Sequence, residues 1–432
     1  MIKRLLKAIS MNSLGMLALS MYILADTYFI AYAMGAQGLA ALNVAIPVYS
    51  VIHGFGLMVG IGGGSLFKIA LSKKEKHVSH QIFSSTLLIG CLASTVLMIM
   101  SFFSSFLTTL FGARHIIHSL SSNYIMILLL FSPLFILNNI FLAFVRNDDR
   151  PRLAMLAMII GSLANIMLDA IFIIVFKWGM MGAALATSIA PLMSLCILSK
   201  YVIWGNPSFK WVLTPLKFKT FKSILYAGNA SFIIELSTAM GLIVFNLIIF
   251  NLNGYEGVAA YGIIANLALI TLALFVGIGQ GSQPFISHLY GSKQYHHLSS
   301  VMKLILMITT MTSFILVIMV NLFSDTLVQF FNHDNNKIVS LLANEGLRLY
   351  FVGFLFAGIN VVLALMLNAQ EKSHQSLTLT VLRGFVILVP LVFILSSLFE
   401  MRGVWFAFIC TELIVLISSG IYTFKKENAL IN

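Results

Sequence analysis

The stretch Val59-Gly60-Ile61-Gly62-Gly63-Gly64-Ser65 returns as Val276-Gly277-Ile278-Gly279-Gln280-Gly281-Ser282, 217 residues later. The same displacement recurs elsewhere. Gly38-Leu39-Ala40-Ala41 is echoed by Gly257-Val258-Ala259-Ala260, Asn139 and Asn147 by Asn360 and Asn368, and Gly182 and Ala186 by Gly403 and Ala407. All offsets fall within 217–221 residues, about half of a 432-residue chain. One unit therefore occurs twice. Glycines this dense suggest a phosphate loop, but no Lys-Ser/Thr follows them, so close helix packing or a bend is the expected role. No nucleotide-binding module is legible elsewhere.

Composition says what the unit is made of. Hydrophobic residues make up 59% of the chain, charged residues 9%, and the mean hydropathy is +0.99. A soluble surface needs about 25% charged residues, so lipid must replace water over most of this one. Twelve apolar runs are long enough to cross the hydrocarbon: residues 8–32, 39–71, 81–111, 119–145, 152–176, 181–204, 221–251, 257–289, 298–330, 338–367, 375–399 and 402–424. They lack the alternation of β-barrel strands. The fold class is an all-α polytopic membrane protein, with an amino-terminal six-helix lobe over 1–205, a basic linker over 206–220 containing Pro207 and Pro215, and a carboxy-terminal lobe over 221–432. With six spans each, the repeats share one orientation. Their axis runs along the membrane normal, with a cavity between or within them.

The net charge of +12 does not indicate nucleic acid, because the charges sit in short breaks between apolar runs rather than on one soluble face. One side collects Lys3, Arg4, Lys7, Lys68, Lys73, Lys74, Lys76, Arg146, Arg150, Arg152, Lys200, Lys210, Lys217, Lys219, Lys222, Lys293, Lys303, Lys372, Lys425 and Lys426; the other has Arg114, Lys177, Lys337 and Arg402. The positive-inside rule then puts both termini in the cytoplasm, in a bacterial cytoplasmic (inner) membrane. The first run is too long for a cleaved signal peptide and is expected to stay as a span. Cys91, Cys196 and Cys410 are too scattered for a disulfide or metal framework.

Acids inside spans carry the functional signal, since a carboxylate in hydrocarbon is costly. They are Asp26, Asp169, Glu235 and Glu412. Tyr22 precedes Asp26, and Asn165 precedes Asp169, by four residues, so each pair shares a helix face. Such a pair can hold a proton or small cation. The plainer role is a polar contact between helices, which suits Glu412 best because Arg383 is available to pair with it. His53 is expected to be a packing histidine. Arg348 and Arg383 are the intramembrane cations.

The duplicated twelve-span plan, Asp26, Gly38-Leu39-Ala40-Ala41, and Asn165-x-x-x-Asp169 followed by Gly182-Ala183-Ala184-Leu185-Ala186-Thr187 resemble the MATE (multidrug and toxic compound extrusion) family over essentially the whole chain. The resemblance implies two lobes around a V-shaped cavity that alternate access, exporting amphipathic organic cations in exchange for protons or sodium. It implies an amino-lobe site of Tyr22, Asp26, Asn165, Asp169 and Thr187, with sodium a possible occupant of Asp26, Asn165 and Asp169. Glu235 matches the seventh-span acid of a sodium-coupled branch, but the tenth-span acid expected with it is Asn360 here. A proline that bends the first span in some members is Met11 here. Protons through the amino lobe, no cofactor, small-molecule substrates, no catalysis and a monomer are the resulting expectations. A lipid-linked oligosaccharide flippase of the same superfamily plan is the alternative. It would be expected to line its cavity with several basic residues, whereas the candidates here are acidic.

Overall fold

The computed structural model describes residues 2–431 except 112, 214–216 and 332–335. Pro215, and the side chains of Lys425 and Lys426, lie outside the described residues. No β-strand occurs among the described residues. Twelve spans follow one another: α1 Ile2–Gly35, α2 Gln37–Ser72, α3 Lys76–Leu110, α4 His115–Asn147, α5 Pro151–Val175 and α6 Gly179–Trp204, then α7 218–252, α8 255–291, α9 Tyr295–Leu322, α10 Lys337–Asn368, α11 373–399 and α12 401–431. Each lies within a few residues of an apolar run in the sequence, except that α9 stops at Leu322 with a separate short helix, Ser324–Phe331, completing its run, and α12 continues to Ile431. α4 bends by 49° at Phe131. α1 stays helical through Met11 to its end, as expected of a first span without proline.

The duplication is visible in backbone geometry. Gly35 turns α1 into α2 at φ 60°, and Gly254 turns α7 into α8 at φ 57°. A side chain is strained at that angle, so glycine fits both breaks. π-type turns occur at Ala170–Val175 and Leu382–Val386, in the corresponding fifth and eleventh spans. Each half builds its own apolar core. One joins Ile52, Phe67, Ile125 and Phe144; the other joins Phe275, Phe351, Phe354 and Trp405. The start of α1 crosses over, burying Leu5 and Ile9 in the second core, and the start of α7 places Ile224 in the first.

The glycine clusters explain how the lobes meet. A Cβ on Gly62 would lie 2.1 Å from the Ile224 carbonyl oxygen, and one on Gly228 would lie 1.8 Å from that of Met58. Gly277 and Gly281 pack against the backbone of Ser13 and Ile9 in the same way. Only hydrogen fits there, so α2 crosses α7, and α1 crosses α8, at backbone contact distance. These crossings lie toward the ends that carry Lys3, Lys68 and Lys293, here called the basic face. Toward the opposite face Tyr32 and Tyr255 are 71% and 80% exposed, and the tip glycines Gly35 and Gly254 have open space around them. The lobes are shut at the basic face, while the helix tips at the other carry exposed side chains.

The linker stretch is docked on the amino lobe. Phe209 is fully buried against Phe67, Phe83 and Phe144. The Ser208 amide donates to Asp148 at 3.0 Å and the Val212 amide to Ser84 at 2.9 Å.

Candidate ion and substrate site

α1 and α5 bring the amino-lobe carboxylates together. Asp26 and Asp169 are buried and close enough for their charges to interact. Asn165 and Thr187 complete the wall from α5 and α6, with the Asn165 amide donating to the Thr187 hydroxyl at 3.4 Å. Tyr22 shares its hydroxyl proton with Tyr49 of α2 at 2.8 Å. All five residues singled out in the sequence therefore fall in one region of the amino lobe. Tyr124 of α4, also buried, lies beside Thr187. It carried no charge or motif in the sequence, being one tyrosine after the polar Ser121-Ser122-Asn123.

Bonding in this region is incomplete. Both oxygens of Asp169, Oδ1 of Asp26 and Oδ1 of Asn165 are buried without a hydrogen-bond partner in the protein. Buried polar groups are normally paired, and an unpaired carboxylate is among the costliest to leave so. A proton or a small hard cation is what such an oxygen cluster can take up. Among the described residues no three His, Cys, Asp or Glu side chains converge, as a firmly held metal would require.

Thr187, bonded to Asn165, and Tyr22, one turn before Asp26, open onto a cavity that continues between the lobes. Tyr22, Tyr49, Thr187 and Phe135 line its amino-lobe part, and Tyr49, His53, Glu235 and Leu272 a part reaching the carboxy lobe. His53 stacks on Tyr49 with centroids 5.7 Å apart, and its Nδ1 lies 3.4 Å from the Glu235 carboxylate. The histidine is thus packed, as its sequence setting suggested, but it also faces an acid from the other lobe.

The structure keeps Glu235 and Asn360 apart in bonding. Asn360 donates to Glu412 at 2.8 Å, and Arg383 closes on the same carboxylate in a short ion pair. No hydrogen bond joins Asn360 to Glu235. The pairing of Arg383 with Glu412 is the one their sequence positions suggested.

Two cations differ from the sequence expectation. Arg146, grouped with the exposed charges of a break, is inside α4 and 3% exposed. Its guanidinium donates to Gln280 at 2.8 Å, Asn12 at 3.2 Å and Gln283 at 3.4 Å. The hydropathy profile ends the fourth run at Val145; the helix continues to Asn147 and turns Arg146 inward against α1 and α8. Arg348, expected among the intramembrane cations, is half exposed and sits 3.6 Å from Asp325.

The family model MatE matches residues 13–171 and 230–394, one stretch in each lobe. The chain belongs to the MatE family. It is a membrane transporter rather than an enzyme. A relative, the multidrug export protein MepA of Staphylococcus saprophyticus, is 23% identical over 421 residues, covering 96% of this chain and 92% of that protein. MepA of Staphylococcus aureus is equally similar over 420 residues. The solved outward-facing structure of a multidrug resistance MATE family transporter superposes with a TM-score of 0.93 at 21% identity, over 99% of this chain and 96% of that one. The MATE fold thus accounts for both lobes.

Proposed function

We propose that this MATE transporter is a secondary active antiporter that exports amphipathic, cationic organic compounds in exchange for protons by alternating access. The observation that carries it is the buried, unpartnered oxygens of Asp26, Asn165 and Asp169, set behind Tyr22 and Thr187, which line a mixed aromatic and apolar cavity. Two carboxylates in a low-dielectric site attract a cation strongly, and a proton taken up there cancels that attraction. Ion and substrate need not touch. It is enough that protonation and substrate occupancy favour different facings of the lobes. Sodium is the alternative ion, since the same oxygens suit it. The separation of Glu235 from Asn360 in bonding weighs against a second, sodium-type site. Glu235, partly exposed to the cavity beside His53, is proposed to attract the substrate's positive charge.

The relatives' names support multidrug export as the cargo class. We also propose that the chain works as a monomer, because one chain supplies both walls of the cavity. The basic face is assigned to the cytoplasm by the positive-inside rule, so the shape described here is outward-facing. Reporter fusions at Asn206 and at the carboxy terminus should both read as cytoplasmic.

The test is efflux of a fluorescent cation from proteoliposomes under an imposed pH or sodium gradient. Asp26→Asn and Asp169→Asn should each abolish gradient-driven export while the protein stays folded. The double variant should be little worse than either single one, because the pair acts as a unit. Near-normal export by both single variants would make these acids structural contacts and overturn the mechanism.

A further inference from the structure

On the basic face a cleft of about 980 Å³ runs between the lobes, sharing Arg146 with the wall of the central cavity. Arg4 and Lys7 of α1, Lys68 of α2, Arg146 of α4, and Arg150 and Arg152 at the start of α5 line it. The one acid in its wall, Asp149, is taken by Lys68 at 2.9 Å. Arg4, Lys7 and Arg152 have no carboxylate partner among the described residues, and Arg150 lies 5.7 Å above the Tyr201 ring. Arg146, which lines both this cleft and the central cavity, adds a buried positive charge to the wall. It is 3% exposed, and its Nε proton donates to nothing in the protein, although its other nitrogens are bonded. The amino end of α5, opened by Pro151, borders the cleft without a side-chain cap.

The rest of the wall is apolar: Leu153, Leu156, Phe285 and Leu289. A free anion has no use for that surface, whereas a phosphate joined to an acyl chain matches both parts. We propose that this cleft binds the phosphate-bearing headgroup of an anionic phospholipid, with the start of an acyl chain along the apolar side. Positive-inside charge alone gives separate, solvated lysines. Here cations from four helices converge on one cleft, and one guanidinium is buried in its wall. Phe285 and Leu289 belong to α8, and the cations to the amino lobe. A bound lipid, its headgroup on the amino-lobe cations and its acyl chain on α8, therefore bridges the lobes and favours the form closed at the basic face.

The proposal can be tested on the delipidated full chain without any transport measurement. Native mass spectrometry would compare phosphatidylglycerol with phosphatidylcholine of the same acyl chains, and thermal denaturation would compare phosphatidylglycerol with inorganic phosphate alone. The variants are Arg150→Gln with Arg152→Gln, both exposed, and, as a control elsewhere on the basic face, Lys217→Gln with Lys219→Gln. We expect retention of phosphatidylglycerol over phosphatidylcholine, weakened at least about tenfold by the first pair and little by the control. Equal loss with the control pair, or equal binding of phosphatidylcholine, would overturn the site. Stabilisation by phosphate alone matching that by the lipid would overturn the lipid assignment in favour of a free anion.

Discussion

Replacing Arg146 by methionine should loosen the closure at the basic face. The guanidinium sits on α4 of the amino lobe and donates across the interface to Gln280 and Gln283 of α8, at 2.8 and 3.4 Å. A hydrogen bond from a charged donor contributes about 1.5–3 kcal/mol. Only the Gln280 bond has strong geometry, and in an opened form the guanidinium regains water. The net bias toward the closed form is therefore about 2 kcal/mol, roughly a thirtyfold change in the open-to-closed ratio. Gln283 keeps its bonds to Ser65 at 2.5 Å and to the Ile61 carbonyl at 3.2 Å, so the interface is weakened rather than destroyed. Methionine preserves much of the side-chain volume. Ser72 and His288 face each other across the lobes at 2.9 Å. Ser72→Cys with His288→Cys, in a background with Cys91, Cys196 and Cys410 changed to serine, reports closure by cross-linking rate. The rate should fall clearly with Arg146→Met. An unchanged rate in a protein that melts normally would mean that helix packing alone sets the closure and that the polar network contributes nothing to it.

Gly228→Ala should be strongly destabilising, because the new methyl would lie 1.8 Å from the Met58 carbonyl oxygen with backbone on both sides; a fall in melting temperature together with loss of efflux would show it, and native-like behaviour in both would not fit. Arg383→Leu should cost about 3–5 kcal/mol by stranding Glu412 as a buried charge, and Glu412→Leu added to it should restore much of the loss; thermal denaturation of the single and double variants reads this directly. Glu235→Gln should leave partial, weakened export of cationic compounds; complete loss at normal expression, with strong sodium dependence, would move the coupling site to the carboxy lobe.

The twelve spans were legible because hydropathy is a local property. A helix must hide its own backbone groups from lipid whatever its neighbours do, so span limits follow from single runs of residues. The duplication was legible for a similar reason: helices that cross at backbone distance need glycine there, and that need is written into each copy, at Gly62 in one and at Gly277 and Gly281 in the other. Tyr22 with Asp26, and Asn165 with Asp169, could be paired on the sequence because four residues make about one helical turn. Contacts between helices were another matter. They depend on how each helix is rotated and where it crosses the next, and a linear pattern specifies neither. Only the tertiary structure turned Arg146 from a loop charge into a buried bridge, put Tyr124 beside Thr187, and divided the carboxy-lobe acids. Glu235 went to His53 across the cavity, and Glu412 took Asn360 as well as the Arg383 that the sequence had already offered it. The physical reason lies in the bilayer: apolar residues pay little for facing either lipid or protein, so helix rotation is set by scattered polar groups finding partners, and those partners are far apart in the chain.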